Sequence, residues 1–286
     1  MSGRYYSIQM LSQKIGNFLT ELENSMPELP ELTLYAENLS KAVTGKKIIT
    51  VQYHRQKRLN ATAQELAAAL VSSKIERIER VGKKICLHLG NGSAMCIHLM
   101  LSGGFVLTSD REVEHLNSLT LSIGFADGSA MAVTDPKGLV TVELNPKPGA
   151  QAPDALGVTA EYLRSKFGEQ PKMLIKPFLI NQELIGGIGN AYSDEILWRA
   201  RISPKSVVGK LPPEAVKALV EAIPAVLNEA LGELRKKRPD AVSGEERDFL
   251  KVHGPGRKVS PTGAPIIKEQ IQTKTTYYTE EQRLYK

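Results

Sequence analysis

Two kinds of periodicity, kept apart along the chain, constrain the fold of this protein more than any other feature of its sequence. From about residue 46 to 145 short apolar runs alternate with turn signals: Lys47 to Val51, Lys84 to Leu89, Ala94 to Leu99, Leu119 to Phe125, Ala130 to Val133 and Val140 to Leu144. This spacing predicts a β-sandwich or barrel. At Asn145-Pro146-Lys147-Pro148-Gly149 the pattern stops. Tyr162 to Phe167, Leu174 to Ile180, Ala191 to Ala200 and Ala215 to Leu231 then read as helices separated by Gly and Pro. From Gly254 onward, turn residues and the pairs Ile266-Ile267 and Tyr277-Tyr278 predict an appended β-hairpin. Strands followed by helices imply an α+β protein rather than an alternating α/β one. A chain of 286 residues has room for two or three such units. The expected divisions are an extension over 1–25, a sandwich over 26–148, a helical unit over 149–247 and a hairpin over 248–286.

One helix precedes the strands. After Pro30, apolar Leu32, Tyr35, Leu39 and Val43 recur at helical spacing and Gly45 ends the run. The prolines fall where a missing N–H is harmless, so Glu28 and Glu31 sit at a helix N-terminus. The net charge of +6, from 37 basic and 31 acidic residues, fits a polyanionic partner. Arg235-Lys236-Lys237-Arg238 either touches phosphate or is a solvated helix end. No apolar run is long enough to span a membrane and no secretory signal is present, which predicts a cytoplasmic protein. With Cys86 and Cys96 alone, a four-cysteine metal site is excluded and reduced thiols are expected. Cys86-Leu87-His88 and Cys96-Ile97-His98 invite a metal reading. A two-residue Asn91-Gly92 turn would set 86 opposite 97 and 88 opposite 95, sending the two pairs to opposite faces, so no metal is expected.

The motifs carry more. Met26-Pro27-Glu28-Leu29-Pro30-Glu31 taken alone is a helix cap, but its order resembles the start of the formamidopyrimidine-DNA glycosylase and endonuclease VIII family. Gly82-Lys83-Lys84-Ile85 is similar to that family's Gly-Lys strand. His98-Leu99-Met100-Leu101-Ser102-Gly103-Gly104 is similar to its His-Leu-x-Met-Ser-Gly loop. The longest match runs from Ile175-Lys176-Pro177-Phe178 through Gly186-Gly187-Ile188-Gly189-Asn190-Ala191-Tyr192-Ser193-Asp194-Glu195, which resembles the family's helix-two-turns-helix. A Rossmann reading of these glycines lacks a preceding buried parallel strand. The resemblance covers residues 26 to 286.

It implies a bifunctional glycosylase and abasic-site lyase that excises oxidised bases from damaged double-stranded DNA. It needs no cofactor or metal, and we take it as a monomer. Pro27 would attack C1′ of the deoxyribose and form an imine, since an α-amino group with a pKa of about 7.7–8.0 is partly unprotonated near neutrality. Glu28 and Glu31 would complete the acidic side of the site and Lys83 the basic side, with Lys84 a rival by one register. Lys176, Gly189 and Asn190 would clamp phosphate, with an Asn190 helix cap as the alternative. Leu101 would enter the gap left by a flipped base, or else be core.

Four departures bear on this. Pro27 lies behind 26 residues, and an internal proline nitrogen is an amide with no nucleophilic lone pair. Translation from Met26 with loss of the methionine is the favoured resolution. The others are cleavage of the extension and a catalytically silent damaged-DNA-binding protein. Asp135-Pro136-Lys137-Gly138-Leu139 resembles the family's Asp-Pro-Arg-Arg-Phe-Gly loop without its arginines, leaving Lys137 as a partial substitute. The terminal finger resembles a zincless one, with Val259, Thr262, Thr279 and Gln282 in place of four cysteines. Lys274 stands where the family has an arginine and keeps charge but not the planar fork. A structural protein without nucleic acid is the remaining reading.

Overall fold

The computed structural model describes residues 26–55, 57–147 and 152–286; the segment 1–25 lies outside the described residues. The fold is α+β: a β-sandwich, a helical unit and a C-terminal β-hairpin.

Helix α1 (Leu29–Val43) opens the fold and joins its parts. Leu32, Tyr35, Leu39 and Val43 face the sandwich core, Leu29 enters the core of the helical unit, and Leu34 packs on Leu231 and Leu234. Burying each leucine contributes roughly 1.5–3 kcal/mol, so one helix ties three clusters together. Eight strands follow, β1 (Ile48–Tyr53), β2 (Ile75–Val81), β3 (Lys84–Leu89), β4 (Ala94–His98), β5 (Gly104–Ser109), β6 (Leu119–Phe125), β7 (Ser129–Thr134) and β8 (Thr141–Leu144). They form two antiparallel sheets of order β1-β6-β7-β5 and β2-β3-β4-β8. Helix α2 (Ala63–Leu70) packs Leu66 and Leu70 under them.

Three of these elements escape the sequence reading for different reasons. In β2 the apolar residues Ile75, Ile78 and Val81 stand three apart, which mimics a helix; a register shift between Ile75 and Arg77 is what lets Ile75 and Ile78 share a face of the strand. Helix α2 carries a capping box, Thr62 Oγ1 accepting from Glu65 N at 3.1 Å and Glu65 Oε2 accepting from Thr62 N at 2.7 Å. Strand β5 is a short apolar run behind Gly103-Gly104.

The β3–β4 hairpin corrects two expectations. Leu89 N donates to Ser93 O at 2.9 Å, so the loop has three residues and Gly92 takes a left-handed φ of 84°. The register therefore pairs Cys86 with Cys96, not residue 86 with 97 or 88 with 95. Both cysteines point to one face and are joined in a disulfide, against the reduced thiols expected.

The helical unit comprises α3 (Ala160–Glu169), α4 (Ile175–Ile180), α5 (Asn190–Arg199) and α6 (Pro213–Lys237) around a core of Phe167, Phe178, Tyr192, Leu197, Leu219 and Leu227. Beyond it β9 (Ile267–Ile271) and β10 (Lys274–Tyr278) pair antiparallel. Hydrogen bonds pin this hairpin: Thr262 Oγ1 donates to Glu281 (2.7 Å), Thr279 N to Gln282 Oε1 (2.8 Å) and Gln282 Nε2 to Ile202 O (2.9 Å). Val259 bridges to Pro265. Among the described residues no helix is long and apolar enough to cross a membrane.

Candidate active site

Helix α5 begins against α1. Its first N–H groups lack partners within their own helix, and a residue 161 positions away supplies one. The Glu28 carboxylate accepts from Gly189 N (2.6 Å), Ala191 N (2.8 Å) and Tyr192 N (3.3 Å). Glu28 is only 2% exposed. The capping role open to Asn190 is thus filled from another unit. Asn190 instead donates Nδ2 to Thr275 O of β10 at 2.9 Å, and its Oδ1 is buried without a hydrogen-bond partner. Such close docking explains Gly189. A Cβ there would lie 2.6 Å from both Glu28 Oε1 and Lys83 Nζ. Gly187, with a left-handed φ of 103°, makes the turn before it and accepts from Leu29 N at 3.0 Å.

Lys83 is the lysine that reaches this cluster; Lys84 is spent on Glu143 at 2.7 Å. Burial pushes the Lys83 ammonium below the ordinary lysine range, opposed by Glu28 and reinforced by Arg247 and Lys274. A lysine so placed gives up a proton more readily than a solvated one. Pro27, buried, directly precedes Glu28. Glu31 accepts from Glu28 N (3.1 Å) and from Tyr192 OH (2.8 Å). Burial raises its pKa, Arg247 opposes that, and the Glu28 charge adds to it.

Two contributors went unread in the sequence, and the role of a third, read there only within two motifs, was missed. Arg247 extends its guanidinium between the carboxylates, 3.3 Å from Glu245, 3.7 Å from Glu31 and 3.8 Å from Glu28, and donates Nη2 to Met26 O at 3.1 Å. Glu245 is buried with neither oxygen hydrogen-bonded, and desolvation pushes its pKa up to about 8. Both lie in Ser243-Gly244-Glu245-Glu246-Arg247, which looks like a solvated turn; only the pairing of buried charge across some 200 residues reveals it. The third is His98, which lines the cleft between the units with Gly82, Lys83, Gln182 and Gly186. Burial and the charges of Lys83 and Lys84 hold it down to about 4. Its Nδ1 accepts from Met100 N at 3.0 Å, which leaves the proton on Nε2 as a donor.

The remaining residues fall as follows. Leu101 is 37% exposed at a loop tip, so the core alternative is not realised. Lys176 is not an open cation: its Nζ is buried against Asp194 Oδ1 at 2.6 Å and approaches Thr275 O at 3.4 Å. Asp194 also accepts from Tyr277 N (3.0 Å) and meets His253 Nδ1 (2.8 Å), so Lys176 braces the hairpin against α5. Lys274 is exposed at the start of β10, near enough to Lys83 and Lys176 for its charge to lower both.

A family model for the formamidopyrimidine-DNA glycosylase N-terminal domain matches residues 26–142, and one for the H2TH domain of the same glycosylase matches 150–238. The formamidopyrimidine-DNA glycosylase of Roseiflexus sp. (strain RS-1) is 31% identical over 277 residues, spanning 90% of this chain and 99% of that one. That of Mycolicibacterium gilvum is 33% identical over 280 residues, spanning 88% and 96%. The chain belongs to the formamidopyrimidine-DNA glycosylase family. A crystal structure of the Lactococcus lactis glycosylase with abasic-site-containing DNA superposes with a TM-score of 0.79 at 25% identity, covering 90% of this chain and 99% of that one. A second, with N7-benzyl-Fapy-dG-containing DNA, gives 0.78 at 26% identity, covering 88% and 97%.

For a glycosylase of this family the fit at Gly189 carries a direct expectation. Gly189→Ala will push Glu28 and Lys83 out of register, and displacement of about 1 Å at a reacting centre costs on the order of 100-fold in rate. Base release under single turnover, compared with the thermal melt, checks this; near-native turnover in a folded variant removes the significance given to the close approach.

Proposed function

We propose that this protein is a bifunctional DNA glycosylase and abasic-site lyase acting on oxidised bases in duplex DNA. The observation that carries it is the meeting, at Gly189, of Lys83 with the Glu28 carboxylate that α5 holds and that directly follows Pro27 in the chain. Once Pro27 is the first residue, its secondary amine adds to C1′ as the bond to the base breaks, and opening of the C1′–O4′ bond, with a proton passed to O4′, leaves a cationic imine (iminium) linking protein and sugar. Glu28 and Lys83 exchange protons with the sugar and the departing base. The imine then acidifies the C2′ hydrogens, and β- or β,δ-elimination cuts the strand. Leu101, at the exposed tip, fills the space of the flipped nucleotide. Asn190, Lys274 and the His98 Nε2–H offer donors to the flanking phosphates, with Lys176 holding the hairpin that carries Lys274.

The test is release of an oxidised base, with strand scission, from a formamidopyrimidine-containing duplex by the form that begins at Pro27. Salt-sensitive binding without release supports the second reading, a silent damaged-DNA-binding protein, which the amide character of Pro27 in the 286-residue chain favours.

A further inference from the structure

Arg247 is placed for more than charge balance. Its guanidinium stands 3.3 Å from Glu245, 3.7 Å from Glu31 and 3.8 Å from Glu28. Closer than any of these carboxylates is the Met26 carbonyl oxygen, which accepts from Nη2 at 3.1 Å. Among the described residues Nε has no hydrogen-bond partner, and neither do the Glu245 oxygens. Charge therefore holds the guanidinium, with its Cζ 6.0 Å from the Tyr192 ring centre, while Nη2 aims at the residue before Pro27. The segment that carries it is tied down as well, by the Tyr35 hydroxyl donating to Gly244 O. Burial opposes the charge, but Glu245, Glu31 and Glu28 outweigh it and hold the guanidinium above the ordinary arginine pKa. It is a donor of hydrogen bonds that keeps its protons.

Met26 O marks a place on the substrate. It is the oxygen on the carbon bonded to Pro27 N. In a chain that begins at Pro27 that carbon and oxygen are gone, and the carboxylates keep Arg247 where it is without its acceptor. Once Pro27 N bonds to the sugar, the carbon on nitrogen is C1′ and the oxygen on that carbon is O4′. The nitrogen lone pair forms the N–C1′ bond while the glycosidic pair leaves with the base as its anion. The N–H proton then passes by way of Glu28 and Lys83 to O4′. Its bonding pair becomes the second C1′–N bond, and the C1′–O4′ pair stays on the oxygen, which ends as a hydroxyl on C4′. Negative charge grows on O4′ in that step, and a fixed cationic donor beside it lowers the barrier.

We propose that Arg247 is a catalytic residue that hydrogen-bonds O4′ of the flipped deoxyribose and stabilises the charge that develops there as the ring opens. The assignment rests on the glycosylase reading above. With the form that begins at Pro27, single-turnover formation of the borohydride-trapped adduct is measured for the parent, Arg247→Lys and Arg247→Leu on two duplexes. One carries an ordinary oxidised nucleotide and the other has sulfur in place of its O4′. Lysine keeps the charge among the carboxylates but is shorter and lacks the fork; leucine removes the donor.

Both variants are expected to slow the oxygen duplex by about 100-fold. The sulfur duplex should slow only a few-fold, because sulfur is a weak acceptor with little to lose. Each comparison sets two substrates against one protein, so any loss of folded protein cancels. Equal penalties on the two duplexes place the effect in Glu28 or in the fold and overturn the contact. A second pair needs no reaction: duplexes with tetrahydrofuran or cyclopentane in place of the lesion nucleotide. The parent should hold the ring oxygen about tenfold more tightly, and the variants should not distinguish the two. Equal affinities in the parent overturn the contact. If the Pro27 form traps no adduct with either reactive duplex, the glycosylase reading fails by itself, and the affinity pair still decides whether Arg247 meets O4′.

Discussion

Borohydride added to an abasic-site duplex will trap a covalent adduct with the form that begins at Pro27 and none with the 286-residue chain. The contrast follows from one nitrogen. As an amide, Pro27 N delocalises its lone pair into the Met26 carbonyl, which Arg247 holds at 3.1 Å. As the first residue it is a secondary amine in the same place, beside Glu28 and the Lys83 ammonium. Acetylating the Pro27 form should abolish trapping while leaving binding intact. An adduct from the full chain, or from the acetylated form, points to a lysine as nucleophile and sinks the proline assignment.

Arg247→Leu is expected to lower stability by about 3–5 kcal/mol, because removing one member of a buried charge network strands the others. In a chain of this size that lowers Tm by roughly 10 °C. The stranded groups are Glu28 and Glu31, both within 4 Å of the guanidinium. The single Glu245→Gln variant has its own signature. Burial holds Glu245 at about 8 against an ordinary value of 4.5, so the folded chain keeps a proton that the unfolded chain releases. That contribution is complete below about pH 4.5 and is lost as pH rises toward 8. The Tm of the parent relative to the variant should therefore fall between pH 5 and 8. A flat difference would show that the carboxyl is not held protonated.

What could be read in advance was what depends on neighbours in sequence. The Pro-Glu-Leu-Pro-Glu start, the Gly-rich approach to α5 and the strands β3 and β6 are local patterns, and the structure places them accordingly. The failures share a different origin. Hairpin register turned on whether Gly90 belongs to the loop or the strand, one residue that decides which face Cys86 occupies. β2 was hidden by a bulge. Glu245 and Arg247 take their meaning from Glu28 and Glu31, more than 200 positions away, and nothing in a polar turn signals burial. Asn190 was rightly placed at a helix start, but the cap came from elsewhere in the chain.

That borrowed cap makes the two large units a single instrument. The carboxylate proposed to move protons is also the peg on which the helical unit hangs, so its aim depends on how tightly α5 is seated. A chimera joining this sandwich to a relative's helical unit would inherit its chemistry only if the incoming loop brought a glycine to the place of Gly189 and left the same three N–H groups facing outward. Exposed loops in such a scaffold can change one at a time, whereas the seam between α1 and α5 must change on both sides at once.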